Sequence, residues 1–376
     1  MGRTVVRINP KGLPPPVGRS SSRHRAGAGE APRHSTASIV GPGTNDVRPS
    51  RSGAIGVQTV AVTADLLGDG FEIRVLPLGD GVDNDLVASL VRFRAQDPAR
   101  GAVLYVHGFS DYFFQRHVAV HFAERGYDFY AIDLRGYGRS LRPSRAPNYV
   151  AAMSEHFEEL DAAVELIRTD GHRGLVVVGH STGGLITTLW AHERRADPPL
   201  DALVLNSPWF DLAEPWLTRV VGTPLIDVVG RFAPRLVLRE GLGGVYGHSI
   251  HRDHHGEWDY DPRWKPVTGF PVLAGWLRAV RRGHAALHRG LDVPVPVLVL
   301  HSGRSHLRAK RWTEEAMTAD TVLDVGQIAR WAPKVGRDVD VVRVEGGLHD
   351  LFLSAAPVRD RAFAVVDDWL AGHRRD

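Results

Sequence analysis

The chain has 376 residues, 43% of them hydrophobic, enough to bury a sizeable core as one large α/β domain with an insertion or as two domains. It has no cysteine, which excludes disulfides and thiolate metal sites, and no apolar run approaches the roughly 18–20 residues that span a bilayer. The net charge of +3 is uneven: residues 1–54 carry nine Lys/Arg against Glu30 and Asp46, so the rest is net negative and gives nucleic-acid binding no support.

Residues 1–56 are rich in Pro, Gly, Ser and Arg and read as a solvated, disordered leader, able at most to touch an anionic surface weakly. The segment TVVRINPKGLPPPVG is broken by charge and proline, so it has no signal-peptide core, and the expected location is cytoplasmic. Order is expected from about Val57. VQTVAVTADLL, FEIRVLPLG and LVASLVRFRA read as strands, and AVLYVHG (102–108) as an apolar strand ending in His-Gly. DYFFQRHVAVHFAERG has helical spacing and stops at Gly126. YDFYAID, LVVVGH and ALVLNSP then alternate as strands with helical segments at 150–168 and 185–195.

That alternation predicts a mostly parallel sheet with helices on both faces. The rhythm breaks between about 210 and 290, where Trp216, Trp258, Trp264 and Trp276 fall among irregular Pro, Gly and His. It resumes with VPVPVLVLHSG (293–303), DVDVVRVEGG (338–347) and a last helix near 357–371. The predicted organisation is a core over 57–209 and 291–376, with 210–290 inserted as a lid whose tryptophans and aliphatics suit an apolar group.

GHSTGG (179–184) carries the chemistry. Ser181 lies between a short buried strand and a helix, the setting in which G-x-S-x-G turns a serine outward at the carboxyl edge of a sheet. Gly179 and Gly183 let the strand and helix approach, and the helix N-terminus offers unpaired N–H groups. GHSIH (247–251) starts with the same Gly-His-Ser but lacks the second glycine, the strand and the helix.

VVVGHSTGG, YVHGFSDY and DLRGYGRS together resemble the α/β-hydrolase superfamily, and more narrowly its monoacylglycerol lipase and lysophospholipase-like branch (serine aminopeptidase S33, "hydrolase 4"), over residues 58–376. The resemblance implies an α/β-hydrolase fold and a base at His349, in VVRVEGGLHDLFLS just past the last predicted strand. It also implies an acid after VPVPVLVLHSG. The first Asp or Glu there is Glu314, later than the pattern expects, and ADTVLDVGQIA supplies Asp320 as first choice and Asp324 as second. Asp211, after the preceding strand, is a third. The order Ser, Asp, His is that of the fold. His301 reads as a core or rim residue.

A tetrahedral intermediate needs two N–H donors, expected from the backbone of Thr182 and Phe109, with His107 bracing the loop. Asp133 and Arg135 read as loop organisers, and G-Y-G is no nucleotide fingerprint. His248, His251, His254 and His255 with Asp253 have ligand-like spacing but read as polar surface, so neither a metal nor another cofactor is expected.

The predicted function is hydrolysis of single-chain carboxylic esters, monoacylglycerol- or lysophospholipid-like, through an acyl-enzyme. Aminopeptidase, thioesterase or acyltransferase chemistry would use the same Ser-His-Asp set. A non-enzymatic binding protein is disfavoured by that set being intact.

Overall fold

The strands at the centre of the chain are short, apolar and buried along their whole length, as strands covered on both faces must be. The computed structural model describes residues 5–7, 62–79, 85–96, 98–213, 216–307 and 309–373. The strands are β1 (Val5–Arg7), β2 (Val62–Ala64), β3 (Phe71–Pro77), β4 (Val87–Phe93), β5 (Gly101–Val106), β6 (Tyr127–Asp133), β7 (Leu175–His180), β8 (Ala202–Asn206), β9 (Val237–Arg239), β10 (Val272–Leu273), β11 (Val297–Ser302) and β12 (Val339–Val344). Ten form one sheet in the order β1-β12-β11-β8-β7-β5-β6-β4-β3-β2, and β9 pairs with β10 apart from it. The block β6-β5-β7-β8-β11-β12 is parallel, and β1 and β2–β4 add antiparallel edges.

Alternate side chains of each central strand go to opposite faces. Leu104 and Val106 of β5 join a cluster with α2 (Phe157–Thr169), α3 (Thr182–Glu193) and, further along the chain, α6 (Ala274–Arg289) and α7 (Val325–Trp331). Val103 and Tyr105 join the other cluster, with α1 (Arg116–Glu124) and α8 (Ala356–Gly372). This is the doubly covered α/β-hydrolase arrangement the sequence predicts.

The structure bears on three expectations. The helix expected from Asp111 begins only at Arg116. The Phe113 N–H donates to Asp133 Oδ1 at 2.8 Å, and Phe113 and Phe114 turn into different apolar clusters, which extended backbone allows and a helix does not. The leader expected over 1–56 lies outside the described residues except for Val5–Arg7, which pairs antiparallel with the edge of β12.

The third concerns the stretch between β8 and β11. It holds α4 (Trp216–Phe232), β9, α5 (Val245–Ile250), β10 and α6. The inner face of α6, with Trp276, Ala279, Val280 and Leu287, joins the same apolar cluster as α2 and α3. Val60–Asp376, with Met1–Asn9, forms one compact unit.

Candidate active site

Ser181 sits between β7 and α3 with φ 52° and ψ −117°, a conformation a non-glycine residue holds only when its surroundings impose it. Its N–H donates to Asn206 O at 3.1 Å, and its carbonyl accepts from Gly184 and Trp209 N–H at 3.0 and 2.9 Å. The elbow also needs its glycine: a Cβ on Gly183 would lie 2.3 Å from His107 O and 2.4 Å from Val106 O, both backbone atoms of the neighbouring strand end.

His349 follows β12 on a loop tied at both ends. Ser302 Oγ donates to Gly347 O at 2.6 Å, and Leu348 N–H donates to Ser354 Oγ at 2.9 Å. The next residue, Asp350, is fully buried and accepts from Asn206 Nδ2 (2.7 Å), Gln115 Nε2 (3.2 Å) and Phe352 N–H (3.0 Å). The imidazole is thereby delivered to Ser181: His349 Nε2 lies 3.0 Å from Ser181 Oγ.

On its other side, His349 Nδ1 lies 2.9 Å from Asp320 Oδ2. The late position of Asp320 now has a cause. Asp320 N–H donates to Arg304 O (2.9 Å) and His306 N–H donates to Asp320 O (2.7 Å), so residues 307–319 are an excursion whose two ends are stitched together. Asp320 returns to the end of β11 as though the excursion were not there. Its Oδ1 accepts from Val322 and Leu323 N–H at 2.8 and 2.7 Å.

The two other acids are engaged elsewhere. Asp324 caps α7 through Gly326 N–H at 2.9 Å. Asp211 takes Arg281 Nη1 at 2.7 Å and Trp331 Nε1 at 3.3 Å. His301 is buried, with its Nδ1 2.8 Å from Ser302 O.

Thr182 is the first residue of α3, and Phe109 follows Gly108 after β5. Among the described residues neither backbone N–H has a hydrogen-bond partner within the protein. Gly108 is pressed so close that a Cβ there would lie 2.9 Å from Ser181 Cβ. His107 braces this loop: its Nε2 accepts from Leu134 N–H (3.1 Å) and its Nδ1 donates to Gly108 O (2.8 Å). That pattern needs the neutral ring, and burial holds its pKa below the ordinary histidine value.

Asp133 and Arg135 organise their loop, though not with each other. Asp133 binds Arg139 Nη1 at 2.8 Å, and Arg135 Nε binds Glu159 at 2.6 Å. In the histidine cluster, His248 and His254 rings lie 4.3 Å apart and His255 stacks on Trp312 at 3.4 Å. Among the described residues no group of His, Asp or Glu is arranged to hold a metal ion.

Ser181, His349 and the two N–H groups open onto a cavity of about 360 Å³, walled by Phe109, Trp209, Leu238, Val272 and Trp276. Of the tryptophans between 210 and 290 whose side chains are described, Trp276 lines the cavity. Trp258 instead donates to Leu353 O, and Trp264 packs edge-on against Tyr112. The cavity also holds a buried ion pair that no local signal announced, Lys265 Nζ to Asp111 Oδ1 at 2.7 Å, formed across 154 positions of sequence.

A mostly parallel sheet with a hydrogen-bonded Ser, His and Asp at its carboxyl edge defines an α/β-hydrolase. Residues 97–354 match the family described as serine aminopeptidase, S33 (hydrolase 4), and the chain belongs to it. It is 29% identical over 286 residues to a monoacylglycerol lipase of Mycolicibacterium smegmatis, covering 74% of this chain and 90% of that one. It is 31% identical over 135 residues to lysophospholipase L2 of Escherichia coli K12, covering 35% of this chain and 39% of that one. A solved soluble variant of monoglyceride lipase from Saccharomyces cerevisiae, in complex with a substrate analogue, superposes with a TM-score of 0.61 at 19% identity, over 80% of this chain and 96% of that one. The chain is thus a hydrolase of that family. Among the described residues no helix is long and apolar enough to cross a membrane.

Proposed function

We propose that this chain cleaves single-chain acyl esters of the monoacylglycerol or lysophospholipid type through an acyl-enzyme on Ser181. The observation that carries the reading is the continuous hydrogen-bonded line Ser181–His349–Asp320. His349 Nε2 takes the Ser181 proton as Oγ attacks the acyl carbonyl, and Asp320 holds the Nδ1–H and stabilises the imidazolium that forms. The carbonyl oxygen becomes an oxyanion held by the Phe109 and Thr182 N–H groups. Collapse breaks the ester C–O bond, and the leaving alcohol takes the proton from His349. A water then gives its proton to His349 as it attacks the acyl carbon, and as the acyl C–Oγ bond breaks His349 returns that proton to Ser181 Oγ and the acid is released.

Residues 210–290 act as a lid in this reading, with α6 anchoring it to the core. The apolar walls suit an alkyl chain. Aminopeptidase activity needs a free carboxylate for the substrate amine. Among the described lining residues the one carboxylate is Asp111, and Lys265 already neutralises it.

A panel of p-nitrophenyl esters of increasing chain length, with monoacylglycerol, lysophospholipid and aminoacyl substrates in parallel, tests the reading. Ester turnover should exceed aminoacyl turnover, and Ser181→Ala should abolish it along with fluorophosphonate labelling. Full activity in Ser181→Ala, or preferred aminoacyl turnover, would overturn it.

A further inference from the structure

The loop that presents the Phe109 N–H is gripped by the segment between β8 and β11 at four consecutive positions. The Phe109 ring packs on Trp276 with centroids 4.0 Å apart. Ser110 Oγ accepts from Phe270 N–H at 2.9 Å. Asp111 Oδ1 takes Lys265 Nζ at 2.7 Å, while its Oδ2 faces Gly108 N–H at 3.5 Å. Tyr112 Oη accepts from Asp261 N–H at 2.8 Å. The loop does not adopt this shape for local reasons. Ser110 has φ 54°, in the left-handed region that a non-glycine residue holds only where the surroundings impose it. From the core side, Asn148 Oδ1 accepts from Ser110 N–H at 3.1 Å.

We propose that Lys265 and Asp111 are a positioning pair: the lid ammonium clamps the loop so that the Phe109 N–H is aimed at the oxyanion before substrate arrives. This rests on the oxyanion role of Phe109 proposed above. Lys265 is suited to the task because it is itself immobilised. It is 7% exposed, and its Nζ lies 5.6–5.8 Å from the ring centres of Phe114, Tyr246 and Tyr260. Burial alone would raise the Asp111 pKa, but the Lys265 ammonium beside it outweighs burial and the carboxyl is held below its ordinary value. A buried pair of this kind holds geometry more than it adds stability, because its desolvation offsets much of its attraction. Lid and oxyanion loop are thus one mechanical unit on this side of the cavity, and the seated lid is a condition of catalysis as well as a cover.

The test compares Lys265→Met, which keeps the stem and removes the charge and donors, with Asp111→Asn, which keeps an Oδ1 acceptor for Lys265. Active sites are counted by fluorophosphonate titration, and kcat and KM are measured per titrated site on a p-nitrophenyl ester. Losing an oxyanion donor outright costs about 10²–10³ in kcat, so a donor misaimed by Lys265→Met should lose about 10–100-fold. KM should move less than about 3-fold, and Asp111→Asn should retain most of the rate, since only an oxyanion defect spares ground-state binding. A kcat per site within about 3-fold of the parent in Lys265→Met overturns the proposal. So does a raised KM at unchanged kcat, which would make Lys265 a substrate contact. If Lys265→Met does not fold, Ser110→Ala removes the Phe270 anchor without stranding a charge and is held to the same criteria. If the parent itself neither labels nor loses turnover in Ser181→Ala, the proposed function has failed, whatever the clamp variants do.

Discussion

Replacing Asp320 by Asn exposes the logic of the site, because the geometry dictates how the amide must sit. Asp320 Oδ1 accepts from two backbone N–H groups, Val322 at 2.8 Å and Leu323 at 2.7 Å, while Oδ2 faces His349 Nδ1 at 2.9 Å. An amide NH₂ cannot accept from those backbone donors. The Asn oxygen must therefore take the Oδ1 place and the NH₂ must face His349. Nδ1 then becomes an acceptor and the imidazole proton moves to Nε2, the atom that in the proposed mechanism receives the Ser181 proton. The same exchange in a serine protease of unrelated fold lowers kcat by about 10⁴. At about 1.36 kcal/mol per decade, that is about 5.4 kcal/mol of barrier. Asp324→Asn keeps a good helix cap and should stay within about 2-fold of the parent. The assay is p-nitrophenyl ester turnover, with thermal melting to show that both variants fold. An Asp320→Asn enzyme within tenfold of the parent, or an equal loss in Asp324→Asn, refutes the reasoning.

Other outcomes follow from the packing and the buried charges. His284 Nδ1 lies 3.1 Å from Arg281 Nη1, which can only donate, and its Nε2 lies 2.9 Å from Trp209 O, so the ring is held neutral. Burial, with the Arg281 charge, lowers its pKa to about 3, and burial lowers that of His117 to about 4. Both stabilising contributions are complete above the unfolded pKa near 6.5 and decline as pH falls, because only the unfolded chain takes up these protons. The unfolding free energy from urea denaturation should drop between pH 7 and pH 5 by about 2 kcal/mol for each histidine, and His284→Gln should remove its share of that slope; an unchanged slope would rule this out. Arg139, buried between Asp65 and Asp133, should cost about 3–5 kcal/mol when changed to Ala, read by chemical denaturation. Gly183→Ala forces a methyl onto backbone carbonyls at 2.3–2.4 Å, so about 1–3 kcal/mol of stability should be lost and kcat should fall with the displaced elbow. Native-like melting and turnover in that variant would contradict the close approach.

Much of the site was legible because its signals are local. A buried strand, Gly-x-Ser-x-Gly and an apolar helix sit within about twenty residues, and the backbone they force is the Ser181 conformation found. His349 was legible for a similar reason: a strand end, two glycines and a histidine mark one loop. The acid was harder. Spacing along the chain counts the residues of the 307–319 excursion, whereas space does not, because the bonds among Arg304, His306 and Asp320 close it off. The helix start was misplaced by five residues, 111–115, whose spacing is helical but among which the Phe113 N–H is claimed by distant Asp133 and the Phe113 and Phe114 rings by different clusters.

The amino-acid sequence by itself determined the alternation of strands and helices, the elbow serine, the histidine after the last strand and the shortlist of acids. The alternation and the elbow are set by short-range patterning that burial and backbone geometry make nearly obligatory, whereas the histidine and the acids were implied by the family resemblance. Only the tertiary structure decided that Asp320 rather than Asp324 or Asp211 faces His349, that α6 joins the same apolar cluster as α2 and α3, and that Lys265 reaches 154 positions back to hold Asp111 beside the oxyanion loop. Those outcomes depend on which groups meet after the chain has folded back on itself, and a buried charge finds its partner in space with no trace in the residues next to it.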